Sequence, residues 1–152
     1  MSETGTFLVT EADDASAVLA DVADGQVHTL STNPGLSAGE AIEATIEPEP
    51  PMGVTWSVVE IDARWGIAVE VLDEPPSPQD REAAAGLDAG EVARADPGAD
   101  AARHVIAVPP GETDAAAEDV RDDEATRRRA ARLGAARVEI RAADGVVGVA
   151  YV

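Results

Sequence analysis

The strongest constraint on this chain is a series of short apolar-alternating runs, separated by turn residues, that fills residues 4–73. Thr6-Phe7-Leu8-Val9-Thr10 is β-prone, and Ala17 to Val22 puts Val18, Ala20 and Val22 on one face. Asp24-Gly25 separates that run from Gln26 to Leu30. An Asp-Gly pair between two such runs predicts a hairpin, because a type I′ turn needs positive φ at both central residues. Ala41 to Ile46 alternates again, and Trp56 to Ile61 and Ile67 to Leu72 complete six runs. Asn33-Pro34-Gly35 breaks the chain, and Pro48-Glu49-Pro50-Pro51 excludes a central strand because proline cannot donate to a ladder. Six short strands at this spacing predict a small antiparallel β-barrel over residues 1–73, OB-like or SH3-like.

Residues 74–102 read as an Ala/Pro/Gly-rich connector. Ser77-Pro78-Gln79-Asp80 has the logic of a helix start, with serine as N-cap and proline at the first helical position. Residues 103–152 predict a small α+β unit. His104 to Val108 is a strand, Thr113 to Val120 and Asp123 to Leu133 are helices, and Gly134 stands at a C-cap position. Arg137 to Arg141 alternates, Asp144-Gly145 offers a second hairpin turn, and Val146 to Val152 closes the chain. The order strand–helix–helix–strand–strand predicts helices on one face of a sheet. The fold class is therefore α+β, a small barrel followed by a β-α-α-β-β unit.

Composition limits the core and points to a solvent. The chain has 152 residues, 30 acidic against 11 basic side chains, and a formal charge of −19; every basic residue is arginine. Disorder would explain the acid but predicts few aliphatics, and these runs are aliphatic. Mutational bias toward GC explains the missing lysine but not the acid excess. Adaptation to molar salt explains both, because at about 1 M the Debye length falls to roughly 3 Å and neighbouring carboxylates are screened. The apolar fraction of 45% is nearly half alanine, and the aromatics are Phe7, Trp56, Trp65 and Tyr151 alone, so the core is thin. No cysteine is present, which removes disulfides and thiolate ligands. The first residues lack signal-peptide character, and no apolar run reaches the length of a membrane helix. A cytoplasmic chain with no membrane contact is the expectation.

Few residues break the acidic rule. Arg127-Arg128-Arg129 with Arg132 is the one basic concentration, a candidate contact for phosphate or an acidic partner. Asp123–Arg127 and Glu124–Arg128 have the (i, i+4) spacing of intrahelical ion pairs, the structural reading of the same residues. Arg64-Trp65 sits where a turn is predicted, and an exposed Trp–Arg pair stacks on a base or a partner. Trp56 is in phase with Val58 and reads as core. Asp122-Asp123-Glu124 reads as first-turn acids favoured by the helix dipole rather than as a metal site. His28 and His104 lie on separate predicted strands with no acid–nucleophile pattern beside them. Neither a phosphate-binding glycine loop nor a nucleophile elbow occurs. Catalytic, cofactor-binding and metal-binding residues are assigned to none.

Several segments together carry a resemblance: Gly5 to Thr10, Gly25 to Ser31, Pro34-Gly35-Leu36, Gly39-Glu40, Glu43-Ala44-Thr45, Val108-Pro109-Pro110 and Asp122 to Thr126. On these the chain resembles a family of uncharacterised halophilic-archaeal proteins known only as a domain of unknown function. Residues 5–62 are also similar to the OB-type barrels of S1 and TRAM domains, through Gly39-Glu40-Ala41-Ile42-Glu43-Ala44. That likeness implies RNA binding, although only Arg64 supplies positive charge near the barrel. The reading that results is a non-enzymatic binding or adaptor protein of a halophile cytosol, its partner open between protein and RNA, with no membrane and no DNA signal. The alternative is an RNA- or nucleoprotein-associated protein using Arg64, Trp65, Arg127, Arg128, Arg129 and Arg132. A carboxylate-dependent enzyme stands third.

Overall fold

The computed structural model describes residues 2–95 and 102–152. It is a mixed α+β chain, mostly strands, that divides into two compact units. The first comprises Met1–Ile67 and Arg127–Gly134; the second comprises Ala68–Thr126 and Ala135–Val152.

Five strands build the first unit: β1 (Glu3–Ala12), β2 (Ala17–Asp21), β3 (Val27–Leu30), β4 (Glu40–Pro48) and β5 (Trp56–Gly66). They close in the order β1-β2-β3-β5-β4, with β4 returning to β1 from Glu3↔Ile46 to Leu8↔Ala41. All pairings are antiparallel except β3 with β5, a single parallel bridge at Leu30↔Trp56, so the wholly antiparallel barrel expected from sequence is corrected there. The reason is topological: β4 lies between β3 and β5 in sequence, and a closed ring then brings β3 and β5 together in the same direction. The interior is filled by Phe7, Val9, Leu19, Leu30, Ile42, Ala44 and Ile46, with Trp56, Val58 and Ile61 packed against them. Each large aliphatic or aromatic side chain so buried contributes about 1.5–3 kcal/mol.

Two sequence expectations change here. Asp24-Gly25 does join β2 to β3, but only Gly25 has positive φ (77°). The loop is longer than a two-residue type I′ turn, with Asp21 N–H donating to the Gln26 carbonyl (2.9 Å) and Asp24 Oδ1 accepting from Gln26 N–H (2.8 Å). The sixth run does not join the barrel. As β6 (Ala68–Val71) it pairs with the second sheet.

The second unit has β7 (Val92–Ala95), β8 (Ala102–Ala107), β9 (Arg137–Ala143) and β10 (Val146–Tyr151), in the order β6-β9-β10-β8-β7. β6 runs parallel to β9, and the other pairs are antiparallel. Asp144 (φ 50°) and Gly145 (φ 81°) both take positive φ between Ala143 and Val146, the type I′ hairpin read from sequence. Helix α1 (Pro78–Ala85) starts as expected, with Ser77 Oγ accepting from Asp80 N–H at 3.2 Å.

Helix α1, from the stretch read as connector, covers one face of this sheet, and α2 (Thr113–Asp122) covers the other. Gly148 faces α1, where Asp80 Oδ2 would stand 2.5 Å from an added Cβ; the missing side chain is what admits the helix so closely. Helix α2 packs over β6, β9 and β10, on the side of the fully buried Val138, Ile140 and Val147. The part of the first face left open carries a charge ladder, Arg137 to Glu70 and Glu139, and Arg141 to Glu139 and Glu74, at 3.0–3.6 Å.

Candidate functional site

The arginines of helix α3 (Glu124–Leu133) begin from a local cap. Asp123 accepts from Ala125 N–H through Oδ1 (2.9 Å) and from Thr126 N–H through its carbonyl (3.1 Å). Asp123 is thus the residue before the helix rather than its first member, and this capping accounts for its carboxylate. Gly134 ends the helix with φ 73°, as its position predicted. Thr126 is buried and its hydroxyl donates to the Val120 carbonyl at 2.7 Å.

From Arg127 onward α3 belongs to the barrel's unit. A Cβ at Gly39 would meet Arg127 Nε at 3.8 Å, and one at Gly25 would meet Arg128 Nη1 at 3.5 Å, so both guanidinium groups lie against glycines of the barrel's loops. Arg129 is half-buried and Arg132 exposed. On the barrel, Arg64 forks onto Glu40, Nε to Oε1 at 2.8 Å and Nη2 to Oε2 at 2.9 Å, and Nη2 also donates to the Gly35 carbonyl at 3.0 Å. Glu40 Oε2 further accepts from Ser37 N–H at 2.7 Å. This set ties the β3–β4 loop to the end of β5.

Trp65 is not in a turn. It is a half-buried member of β5 paired with Ala41, because β5 continues through Gly66. The structure therefore brings Arg64, Trp65 and Arg127 to one stretch, Gly39-Glu40-Ala41. Arg128 sits apart at the β2–β3 loop. The guanidinium of Arg64 is already held by a carboxylate on the same wall.

Both histidines are buried. His28 lies inside the barrel at 1% exposure, its ring edge-on to Phe7 (5.9 Å) and to Trp56 (4.5 Å). Neither ring nitrogen has a hydrogen-bond partner among the described residues, although Nε2 stands 3.4 Å from Glu3 Oε2. That separation is an ion pair only when the ring is protonated. His104 packs edge-on to Tyr151 at 5.5 Å.

Sequence reasoning passed over two features. In the second unit a cleft of about 600 Å³ opens between the end of β6 and α2, lined by Asp114, Glu118 and Arg121 together with Ala117 and Ala142. Arg121 bonds to Asp122 at 3.1 Å, and that contact raises its pKa above the ordinary arginine value. In the first unit the β4–β5 loop holds Met52 and Val54 at 80% and 73% exposure. Its prolines were legible as a strand break, but nothing in the pattern told that the residues beside them point outward.

A family model of unknown function, DUF5812, matches residues 3–142. The chain belongs to DUF5812. Neither a curated protein nor a solved structure matches it. Among the described residues of this DUF5812 chain, no group of three or more histidine or acidic side chains is arranged to hold a metal ion. No helix among them is long and apolar enough to cross a membrane.

Proposed function

We propose that this DUF5812 protein is a non-enzymatic binding or adaptor module of a halophile's cytoplasm, with its barrel as the binding part and a protein as its partner. The observation that carries this reading is the strand order β1-β2-β3-β5-β4 on a wall whose own strands hold one arginine, Arg64, already gripped by Glu40. That order supports an OB-like barrel, a class that engages ligands through the β2–β3 face and the β1–β2 and β4–β5 loops. Here those elements carry Asp13, Asp14, Asp21, Asp24 and Glu49, and no lysine or arginine occurs before Arg64. At contact range, where molar salt screens least, these acids favour a cationic protein surface over a polyanion; Arg128 at the β2–β3 loop is the exception on that face. The halophile setting is supported by the 30 acids against 11 arginines.

The second reading, RNA association, is favoured by the convergence of Trp65 and Arg127 on the start of β4. It would use Arg64, Trp65, Arg127, Arg128, Arg129 and Arg132. The engagement of Arg64 by Glu40 weighs against it. Native purification in molar KCl, with and without RNase, separates the two. A protein that co-elutes after RNase treatment supports the adaptor; recovery that RNase abolishes supports RNA association. Arg128→Ala with Arg129→Ala tests the helix in the same assay.

A further inference from the structure

We infer that the β4–β5 loop is a preformed apolar knob that seats in a pocket ringed by lysine or arginine on a partner protein. This rests on the binding-module reading and assigns it a contact. Met52 and Val54, two residues apart, are the most exposed large apolar side chains among the described residues. The chain has one methionine besides Met1 and few large apolar residues to fill its cores, yet it places two of them in solvent.

The loop is held, not slack. Glu49 N–H donates to the Thr55 carbonyl (2.8 Å), Gly53 N–H to the Glu49 carbonyl (2.9 Å), and Thr55 Oγ1 to Glu49 Oε1 (2.9 Å). Gly53 takes φ 68°, which turns the chain between the two apolar residues, and three prolines restrict the approach. A loop ordered before binding gives up little conformational entropy on binding. Methionine's unbranched, polarisable side chain adapts to the walls of a pocket.

Charge selects the occupant. Glu47 and Glu60 are exposed on the hairpin that carries the loop, opposite Ser57 and Thr45, with Asp62 beyond. Their carboxylates favour a cationic rim around the pocket. Molar salt screens them at longer range, so the selection acts in the docked contact, where a nucleic-acid backbone, an anionic bilayer surface or a second copy of this chain would set like charge against them.

The test replaces the methionines of the full chain with photo-methionine and irradiates it in native extract at 2 M KCl. The expected result is a cross-link from Met52 to a protein segment rich in lysine or arginine. That purified partner should bind Met52→Ser/Val54→Ser at least tenfold more weakly than the parent, with the circular dichroism melt unchanged. Vesicles of phosphatidylglycerol should not bind either form. Absence of a Met52 cross-link, a cross-link to lipid, vesicle binding lost in the double variant, or unaltered partner affinity each overturns the assignment. A partner recovered natively but indifferent to the double variant sinks the knob and leaves the adaptor standing. Recovery of no partner at all removes both.

Discussion

Glu40 grips Arg64 with both carboxylate oxygens, at 2.8 and 2.9 Å, across 24 residues of sequence. Glu40 is 9% exposed, and its second oxygen also takes the Ser37 N–H, so the carboxylate depends on this arrangement for its solvation. Arg64→Ala leaves a largely buried carboxylate short of donors. Because the arginine side chain is 45% exposed, solvent screens part of the loss, and we expect about 1–2 kcal/mol of destabilisation. Arg64→Lys should not restore it, since an ammonium lacks the planar fork. Denaturant unfolding in molar KCl measures both; a full rescue by lysine contradicts the bidentate account.

Gly148→Ala puts a methyl group 2.5 Å from Asp80 Oδ2, and Asp80 is itself held in place by the start of α1. Either the buried Asp80 carboxylate turns away from Arg103 or helix and sheet separate, at a cost of about 1–3 kcal/mol. Gly66→Ala, where an added Cβ meets nothing within 4 Å, is the control and should melt close to the parent. Equal melting temperatures for the two variants would show that α1 yields freely.

Asp13 sits in the β1–β2 turn, where Ser16 N–H and Ala15 N–H donate to its Oδ1 at 2.8 Å each. The bond from Ser16 and then that from Ala15 lower its pKa below the ordinary 3.8. A depressed folded pKa contributes stability that is present above about 3.8 and lost as pH falls through the folded value. The Ser16 and Ala15 amide resonances should therefore titrate together below that point, and Asp13→Ala should abolish the titration. Resonances that move above pH 5 instead would assign the shift to another group.

Dilution tests the solvent argument. With a charge of −19, moving from molar KCl to 50 mM salt lengthens the reach of repulsion between carboxylates several-fold. We expect lower thermal stability and a loss of far-UV ellipticity. Equal stability at both salt concentrations would remove the case for halophilic adaptation.

Local chemistry was readable from sequence where one short segment decides its own conformation. The β9–β10 hairpin follows from Asp144-Gly145, the α1 start from Ser77-Pro78, and the α3 end from Gly134. Pairing across the chain was not readable. β5 skips register opposite Glu43–Ala44 and Thr45–Ile46, and those bulges blur the alternation that would have carried the strand through Trp65. The same blurring made Arg64-Trp65 look like a turn. The destination of β6 was hidden too, because parallel pairing with β9 joins residues nearly seventy positions apart. At the candidate site the arginines were visible as residues, but the carboxylate that holds Arg64 was visible only once β4 lay beside β5.

The first unit takes its last piece, Arg127–Gly134, from far down the chain. During synthesis the strands of the barrel leave the ribosome long before the helix segment that belongs with them. No single proteolytic cut or gene truncation separates the two units intact, because removing the second as one block also takes that segment away. A fragment ending at Ile67 keeps all five strands of the barrel but loses the helix segment of its unit, so dissection of this protein calls for an internal deletion and rejoining rather than a stop codon.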